Sequence, residues 1–260
     1  MNPKLSCQGC RDGADLPFAF TMAFQPILDA SEGRIWGYEA LVRGPEGQGA
    51  GTVLDEVTPQ MMYRFDQACR VRAIELFGQL SPHDDTRLSI NFMPNAVYEP
   101  STCLRASLDA AARIGLNPKR LVFEFTEHER FTDTAHISNI VAEYKRLGFM
   151  TALDDFGSGY AGLNLLANLQ TDLIKIDMEL IRDINADSVR QAIVAGIKSI
   201  ARALDIQVIA EGIESEAELT TLRAAGISLF QGYYFARPQI EALPMVEGFT
   251  IRSAAQALSA

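Results

Sequence analysis

The sequence predicts an α/β protein, a closed barrel of strands and helices in which one strand runs against the others. Strand-like and helix-like segments alternate along the chain, which favours a parallel sheet. Eight segments have the strand pattern within 260 residues, which is typical of a (β/α)8 barrel. The first two strands are too close in sequence for a helix between them. We therefore expect a modified (β/α)8 TIM-like barrel with one antiparallel strand near the N-terminus.

The strand candidates are short apolar runs bounded by polar or turn-forming residues. In chain order they are residues 23–29, 35–43, 88–93, 121–127, 150–156, 173–178, 207–213 and 228–235. Helical patterns lie between most of them, at residues 55–80, 104–115, 134–148, 189–205 and 214–226. Two of these helices end at Gly115 and Gly148, and glycine is the usual residue just past a helix C-terminus.

The connection between the first two strands predicts the reversed strand. Only the short segment SEGR separates the two apolar runs. A parallel crossover needs about a dozen residues or more, whereas a hairpin needs only a few. The two strands should therefore be antiparallel neighbours.

Composition limits the classes of function. We expect one domain at residues 18–249, between tails at residues 1–17 and 250–260. The formal net charge of −10 argues against general binding to nucleic acid, which needs a basic surface. No apolar run is long enough to span a bilayer, and the first residues contain no apolar signal core. We therefore expect a cytoplasmic protein that binds neither DNA nor membranes directly.

The chain has four cysteines, two of which form a C-x-x-C pair in the N-terminal tail, Cys7 and Cys10. Two thiols supply half of a tetrahedral zinc site, and no second pair or nearby histidine completes it. Free thiols are the favoured interpretation, with a redox switch or a metal site shared between subunits as alternatives. Cys69 and Cys103 lie on expected helices and are most simply core thiols.

Polar side chains recur at the ends of the strand candidates. They are Glu39, Asn91, Glu124 with Glu127, Asp154 with Asp155, Lys175 with Asp177, Glu211 with Glu214, and Gln231. In a (β/α)8 barrel the C-terminal ends of the strands converge on one mouth, where active sites are built. One carboxylate at a strand end is usually a loop residue, but the repetition over seven consecutive strands predicts one shared site.

The side-chain types in this set predict hard cations. The candidate ligands all offer side-chain oxygens, and none of them is His or Cys. They are Glu39, Asn91, Glu124, Asp154 and Asp155. Such ligands suit Mg²⁺ or Mn²⁺ better than zinc. Four neighbouring carboxylates would repel one another strongly, and two divalent cations would neutralise them. Paired metals about 3.5–4 Å apart suit the hydrolysis of a phosphate ester by water, and Lys175 would orient the water or stabilise the developing charge.

Several of these motifs together resemble one family. YEALVR at residues 38–43 resembles the signature of EAL domains, the cyclic di-GMP phosphodiesterases. The resemblance continues in order through NFMP at 91–94, EFTE at 124–127, ALDDFGSGY at 152–160, KID at 175–177, AEGIE at 210–214 and QGYYFARP at 231–238. It covers nearly the whole expected domain.

The resemblance implies a modified (β/α)8 barrel that cleaves one phosphodiester of cyclic di-GMP to linear pGpG with two Mg²⁺ or Mn²⁺ ions. It implies Glu39, Asn91, Glu124 and Asp154 as ligands of one metal and Asp155 as a ligand of the second. The catalytic set implied is Glu39, Asp154, Asp155, Lys175 and Glu211, with Lys175 at the attacking water. Glu127 resembles the glutamate that anchors the loop 156–163. The implied substrate contacts are Gln25, Arg43, Gln231 and Pro238.

This sequence departs from the family pattern in two places. Gly44 follows the EAL-x-Arg segment where many members have Trp, and Ala161 and Gly162 stand where the aspartate loop commonly ends in two serines. Neither change removes a metal ligand, so both bear on substrate affinity and loop-dependent regulation. The resemblance also implies a homodimer, and a regulatory protein partner is one source of control that we expect.

Two alternatives to a phosphodiesterase were weighed. A non-catalytic receptor would bind cyclic di-GMP and signal by contact, but such receptors usually lose acidic ligands, and this sequence retains them. GSGYAG at residues 157–162 fits the G-x-G-x-x-G pattern of dinucleotide-binding proteins. That alternative is less favoured, because Asp154 and Asp155 would repel a pyrophosphate and the motif falls in the fifth strand unit.

Overall fold

The first two strands form the antiparallel hairpin that their short connection predicts. The computed structural model describes residues 16–80, 85–94, 103–126, 134–159 and 162–249. Strand β1 (Thr21–Asp29) pairs with β2 (Arg34–Arg43) so that Gln25 lies opposite Glu39. Both strands are largely buried.

The remaining barrel strands are parallel to β2. They are β3 (Arg87–Asn91), β4 (Leu121–Thr126), β5 (Met150–Phe156), β6 (Leu173–Ile176), β7 (Gln207–Ala210) and β8 (Leu229–Phe230). β8 pairs antiparallel with β1, which closes the ring of eight strands. A short strand that we did not expect, β9 (Gln239–Ile240), pairs with β1 outside the ring. The expected barrel with one reversed strand is confirmed.

Helices follow most of the barrel strands. They are α1 (Ala50–Leu54), α2 (Met62–Leu80), α3 (Arg105–Arg113), α4 (Thr134–Arg146), α5 (Gly162–Asn168), α6 (Met178–Ile181), α7 (Ser188–Ala203) and α8 (Glu216–Ala224). Short 3-10 turns lie at Pro118–Arg120 and Ile184–Ala186. Gly115 and Gly148, just past α3 and α4, have the positive φ angles of +68° and +88° expected at a helix end. In the part of the chain described, no helix is long and apolar enough to cross a membrane.

Several element boundaries differ from the expected ones, and three of these differences have a clear physical reason. α2 begins at Met62 and not at residue 55, because Pro59 cannot continue a helix from the preceding turn. β6 ends at Ile176, because the side chain of Asp177 caps α6 by accepting a hydrogen bond from the Glu179 N–H at 2.8 Å. β8 contains only two residues, since the chain after Phe230 turns away from the sheet.

Apolar side chains fill the inside of the barrel below its mouth. One cluster of buried residues takes a member from each of seven strands: Ile27, Trp36, Val122, Ala152, Leu173, Ile209 and Leu229. Because residues from seven strands of a closed ring touch one another, they lie inside it and form a floor. A larger cluster packs the outer faces of the strands against the helices. The mouth above the floor is therefore held by two packed layers.

Candidate active site

The polar residues at the mouth lie two positions beyond the residues of the apolar floor. The pairs are Val122 and Glu124, Ala152 and Asp154, Leu173 and Lys175, Ile209 and Glu211, and Leu229 and Gln231. Side chains two residues apart in a strand lie on the same face of the sheet. The polar members therefore also point into the barrel, one layer nearer the C-terminal ends of the strands.

Amide side chains connect β1, β2, β3 and the segment after β8. Gln231 Nε2 donates hydrogen bonds to Glu39 Oε2 at 2.7 Å and to Gln25 Oε1 at 3.2 Å. Asn91 Nδ2 donates to the other oxygen of Glu39 at 2.9 Å. Gln25 Nε2 in turn donates to the carbonyl of Ala236 at 3.2 Å. The carboxylate of Glu39 is thus oriented by amides from two directions.

Glu124 lies at the base of the site and is fully buried. Its Oε1 accepts a hydrogen bond from the Ser89 hydroxyl, and its Oε2 accepts one from Lys175 Nζ at 2.9 Å. Burial raises the pKa of Glu124 to about 8; Lys175 opposes this shift, and the nearby carboxylates of Glu39 and Asp154 add to it. A cation bound beside Glu124 would therefore stabilise the charged form of this carboxylate.

Lys175 lies at the centre of the carboxylates. Its Nζ atom is 3.4 Å from Glu39, 2.9 Å from Glu124, 3.0 Å from Asp154 and 2.8 Å from Glu211. Burial would lower the pKa of Lys175, but these four carboxylates raise it well above its usual value. One positive charge thus faces four carboxylates. The negative charge that Lys175 does not neutralise is available to further cations.

A bulge in β5 allows two adjacent aspartates to reach the same mouth. The pairing between β5 and β6 shifts register between Leu153 and Phe156. Asp155 lies inside this shift with φ at +53°, a left-handed conformation that Asp tolerates better than most residues. Carboxylate oxygens of Asp154, Asp155 and Glu211 consequently lie within 4.8 Å of one another.

Two groups of carboxylates fit hard cations. Glu39, Glu124 and Asp154 form one, and Asp154, Asp155 and Glu211 form the other, each with ligand oxygens within 4.8 Å. Asp154 belongs to both groups, and its buried Oδ1 forms an ion pair with Lys175 Nζ at 3.0 Å but accepts no well-aligned hydrogen bond from the residues that the structure describes. An all-oxygen donor set with an unsatisfied buried oxygen is suited to Mg²⁺, Mn²⁺ or Ca²⁺.

A cavity of about 240 Å³ opens beside these groups. Its lining includes Gln25, Glu39, Asp155, Glu211 and Gln231. The exposed Tyr233 lies at its edge, with the Arg237 guanidinium 4.2 Å from the centre of its ring. The cavity therefore offers polar groups on one side and an aromatic face on the other to a ligand that reaches the carboxylates.

Other residues singled out from the sequence lie at the periphery or outside the described chain. Arg43 ends β2, where its Nη1 donates to the Val42 carbonyl at 2.7 Å, and Pro238 directly precedes β9. Glu214 is exposed and pairs with Arg182. Glu127 and the pair Cys7 and Cys10 fall outside the residues that the structure describes.

Ser89 contacts the site and was missed in the sequence. It lies on β3 two residues before Asn91, so both side chains are on the same face of the strand. Ser89 is only 1% exposed and donates its hydroxyl to Glu124. A lone serine within the apolar run LSI, in phase with Asn91, was the available signal.

These observations define a (β/α)8 barrel with buried carboxylates at its mouth whose oxygen donors suit hard cations. Residues 18–238 match the family described as "EAL domain". The chain therefore belongs to the EAL domain family.

Two solved structures illustrate the similarity. One is described as a standalone versatile EAL protein from Vibrio cholerae O395 in its c-di-GMP bound form. It is 52% identical, with a TM-score of 0.86, over 90% of this chain and 98% of that chain. The other is BlrP1 of Klebsiella pneumoniae in a manganese/cy-diGMP complex at pH 6. It is 34% identical, with a TM-score of 0.83, over 90% of this chain and 59% of that chain.

Two curated relatives come from Escherichia coli (strain K12). The chain is 31% identical over 224 residues to the blue light- and temperature-regulated antirepressor BluF, covering 86% of this chain and 55% of BluF. It is 31% identical over 240 residues to the probable cyclic di-GMP phosphodiesterase PdeG, covering 87% of this chain and 45% of PdeG. The chain thus spans about half the length, or less, of the curated relatives that it matches first.

Proposed function

We propose that this protein hydrolyses one phosphodiester bond of cyclic di-GMP and releases linear pGpG. The observation that carries the proposal is the shared Asp154, which joins two carboxylate groups beside a polar cavity at the barrel mouth. The 52% identical Vibrio cholerae protein, whose structure has c-di-GMP bound, supports the choice of substrate. The activity lowers the amount of this second messenger in a bacterial cell.

The site residues have distinct places in this proposal. Glu39, Asn91, Glu124 and Asp154 would hold one Mg²⁺ or Mn²⁺ ion, and Asp155 would hold a second together with Asp154. When bound, such ions lower the pKa of water and offset the charge of the phosphate. Manganese in the BlrP1 complex supports this class of metal.

The remaining roles in the proposal, charge stabilisation and substrate contact, belong to other side chains of the protein. Lys175, with its raised pKa, stays protonated and places a positive charge where the phosphate becomes more negative. Burial raises the pKa of Glu211 well above its usual value, against the effect of Lys175, and its carboxyl group lies next to the proposed reacting groups. Gln25, Arg43, Gln231 and Pro238 are proposed to contact the substrate, and Glu127 to anchor the loop after β5.

A homodimer is part of the proposal. α7 presents a stripe of exposed apolar side chains, Val189, Ile193 and Ile200, at helical spacing. A cavity of about 650 Å³ beside this helix is lined by Ile193, Ile200, Leu163 and Leu180. A contiguous exposed apolar surface of this kind suits contact with a second copy.

We also propose a single EAL barrel at residues 18–249 between two tails, a cytoplasmic location and control by a regulatory protein partner.

The activity is tested with purified protein, cyclic di-GMP and either Mg²⁺ or Mn²⁺, with product separated by ion-exchange chromatography. We expect pGpG to accumulate, and we expect Glu39→Ala to abolish it. The name of BluF describes action on a repressor and not catalysis, so the similarity favours a second candidate, the non-catalytic receptor that signals by contact. Tight binding of cyclic di-GMP with no pGpG under any metal condition would replace the hydrolase with the receptor.

A further inference from the structure

A buried ion pair on α2 faces the loop that carries Asn91. Arg70 Nη2 lies 2.8 Å from Asp66 Oδ2, one helical turn away, and both side chains are at most 4% exposed. A buried ion pair is costly to desolvate and is weak evidence for stability by itself. The role of this ion pair is therefore better judged from its contacts with other segments of the chain.

Each member of the pair contacts the backbone of a segment outside α2. Asp66 Oδ1 accepts a hydrogen bond from the Met93 N–H at 2.9 Å. Arg70 Nη1 donates to the carbonyl of Cys103, just before α3, at 3.4 Å. The pair thus connects α2 to the chain on both sides of the connection between β3 and α3.

Met93 is two residues after Asn91, so the Asp66 contact acts on the turn that leaves β3 at the barrel mouth. Phe92 lies between Asn91 and Met93 in the sequence. Its backbone N–H donates to the Glu124 carbonyl at 2.9 Å, and the centre of its ring is 5.2 Å from the centre of the Tyr144 ring. Asn91 itself is exposed to the mouth, where its amide contacts Glu39 at 2.9 Å. Asn91 is the last residue of β3 and its side chain is exposed, so the turn that follows contributes to the direction of its amide.

We infer that Asp66, held in place by Arg70, is a positioning residue for Asn91. Among the described residues, Asp66 does not line the cavity and forms no hydrogen bond or ion pair with the carboxylates; it binds the Met93 N–H and so affects the direction in which the Asn91 amide leaves β3. This inference rests on the proposed function, since it assumes that the Asn91 oxygen binds a divalent cation. Partners of metal ligands commonly change metal affinity by about 10–100-fold when they are removed.

The test measures Mn²⁺ affinity by isothermal titration calorimetry in the full chain without substrate. Asp66→Ala should weaken Mn²⁺ binding about tenfold. Ile74→Ala is the matched control, because Ile74 is a fully buried core residue about two turns along the same helix and its apolar side chain cannot accept a hydrogen bond from the Met93 N–H. It should lower the melting temperature and leave Mn²⁺ affinity unchanged. Equal loss of affinity in both variants would overturn the inference.

Two further variants separate positioning from general stability. Asp66→Asn retains an oxygen that can accept from the Met93 N–H but loses the charge that pairs with Arg70, so it should lower the melting temperature with little loss of Mn²⁺ affinity. Asp66→Glu keeps the charge but displaces the acceptor by one methylene, so it should weaken Mn²⁺ binding; it replaces Asp66→Ala if that variant does not fold. Loss of affinity in the Asn variant and none in the Glu variant would contradict the inference.

A double-mutant cycle identifies Asn91 as the residue through which Asp66 acts. If it does, Asp66→Ala should have little further effect on Mn²⁺ affinity once Asn91 is already replaced by Ala. Fully additive losses would overturn this route. Because the readout is metal binding, failure of the inference is distinct from failure of the proposed function, which would appear as the absence of pGpG from the unaltered protein.

Discussion

Ser89 donates its hydroxyl hydrogen to Oε1 of Glu124, and both side chains are buried beneath the carboxylates of the mouth. The contact ties a proposed metal ligand to the neighbouring strand β3. It also opposes the rise in the pKa of Glu124 that burial causes. The orientation and the ionisation of this carboxylate therefore depend on a residue that does not itself reach the cavity.

Ser89→Ala should weaken Mn²⁺ binding about tenfold, because Glu124 loses the donor that orients it and that favours its charged form. Calorimetric titration at pH 7 and pH 9 measures the effect. The loss should be smaller at pH 9 than at pH 7, because Glu124, whose pKa is about 8 in the unaltered protein, is ionised to a greater extent there. Ser107→Ala is a matched control, since Ser107 is buried and its Oγ has no hydrogen-bond partner. A pH-independent loss shared by both variants would contradict the prediction.

Lys175→Met should destabilise the metal-free protein by about 3–5 kcal/mol, since it leaves the surrounding carboxylates without their buried counter-charge. Chemical unfolding with and without Mn²⁺ measures this. Mn²⁺ should stabilise the variant more than it stabilises the unaltered protein, because the ion replaces the missing positive charge. The same Mn²⁺ effect in both proteins would show that Lys175 is not the counter-charge of this site.

Asp155→Asn and Asp155→Ala should differ in stability but not in activity. Both remove a carboxylate of the second group and should abolish hydrolysis. Asn tolerates the left-handed backbone at this position, whereas Ala should cost about 1 kcal/mol more in the free energy of unfolding. Urea unfolding in the absence of metal compares them. Equal stability of the two variants would mean that the backbone relaxes when the aspartate is lost.

Glu218 should make stability depend on acid pH. This buried carboxylate accepts hydrogen bonds from the backbone N–H groups of Asp183, Glu214 and Ser215 at 2.9–3.0 Å. Burial alone would raise its pKa, but these bonds, together with the Ser215 side chain, lower it. A lowered pKa in the folded state means that the contribution to stability is present above the unfolded value, near 4.5, and disappears as pH falls through the folded value.

Glu218→Gln should therefore reduce the free energy of unfolding by about 1–2 kcal/mol at pH 7, because an amide cannot accept all three hydrogen bonds. The difference from the unaltered protein should shrink as pH falls below 4.5. Urea unfolding across pH 3–7 tests this. Glu216→Gln, at an exposed position in the first turn of the same helix, serves as the control and should change little. A pH-independent difference for Glu218→Gln would count against it.

Ile193→Asp should convert the proposed dimer to a monomer, because it places a charge in the centre of the apolar stripe on α7. Sedimentation equilibrium at several protein concentrations measures the change. Lys198→Asp, on the same helix but outside the stripe, controls for added charge. A protein that sediments as a monomer before any substitution would remove this part of the proposal.

The barrel and the grouping of its polar residues follow from patterns that are local in the sequence. The length of each apolar run, the short SEGR connection and the polar residue that ends each strand are readable without tertiary information. The convergence of Glu39, Glu124, Asp154, Lys175 and Glu211 then follows from the geometry of a closed parallel sheet. Metal binding and the part played by each residue stay predictions.

Other features depend on contacts between distant segments. The bulge at Asp155 exists because β5 and β6 pair with a register shift, which no pattern within ALDDF specifies. Asp66 lies in an amphipathic helix, where a charged residue is usually solvated, and only its contact with Met93 makes it distinctive. The late start of α2 was available from Pro59, and it was overlooked because the apolar periodicity continues across that residue.

The direction of β1 has a consequence for how this barrel joins to other segments. Thr21 begins β1 opposite Arg43, at the end of β2 that borders the mouth. In a barrel whose strands are all parallel, the chain would enter the first strand at the opposite end of the barrel, away from the polar mouth. Here the chain enters β1 at the rim of the polar mouth, so the first strand begins on the same side of the barrel as the carboxylates.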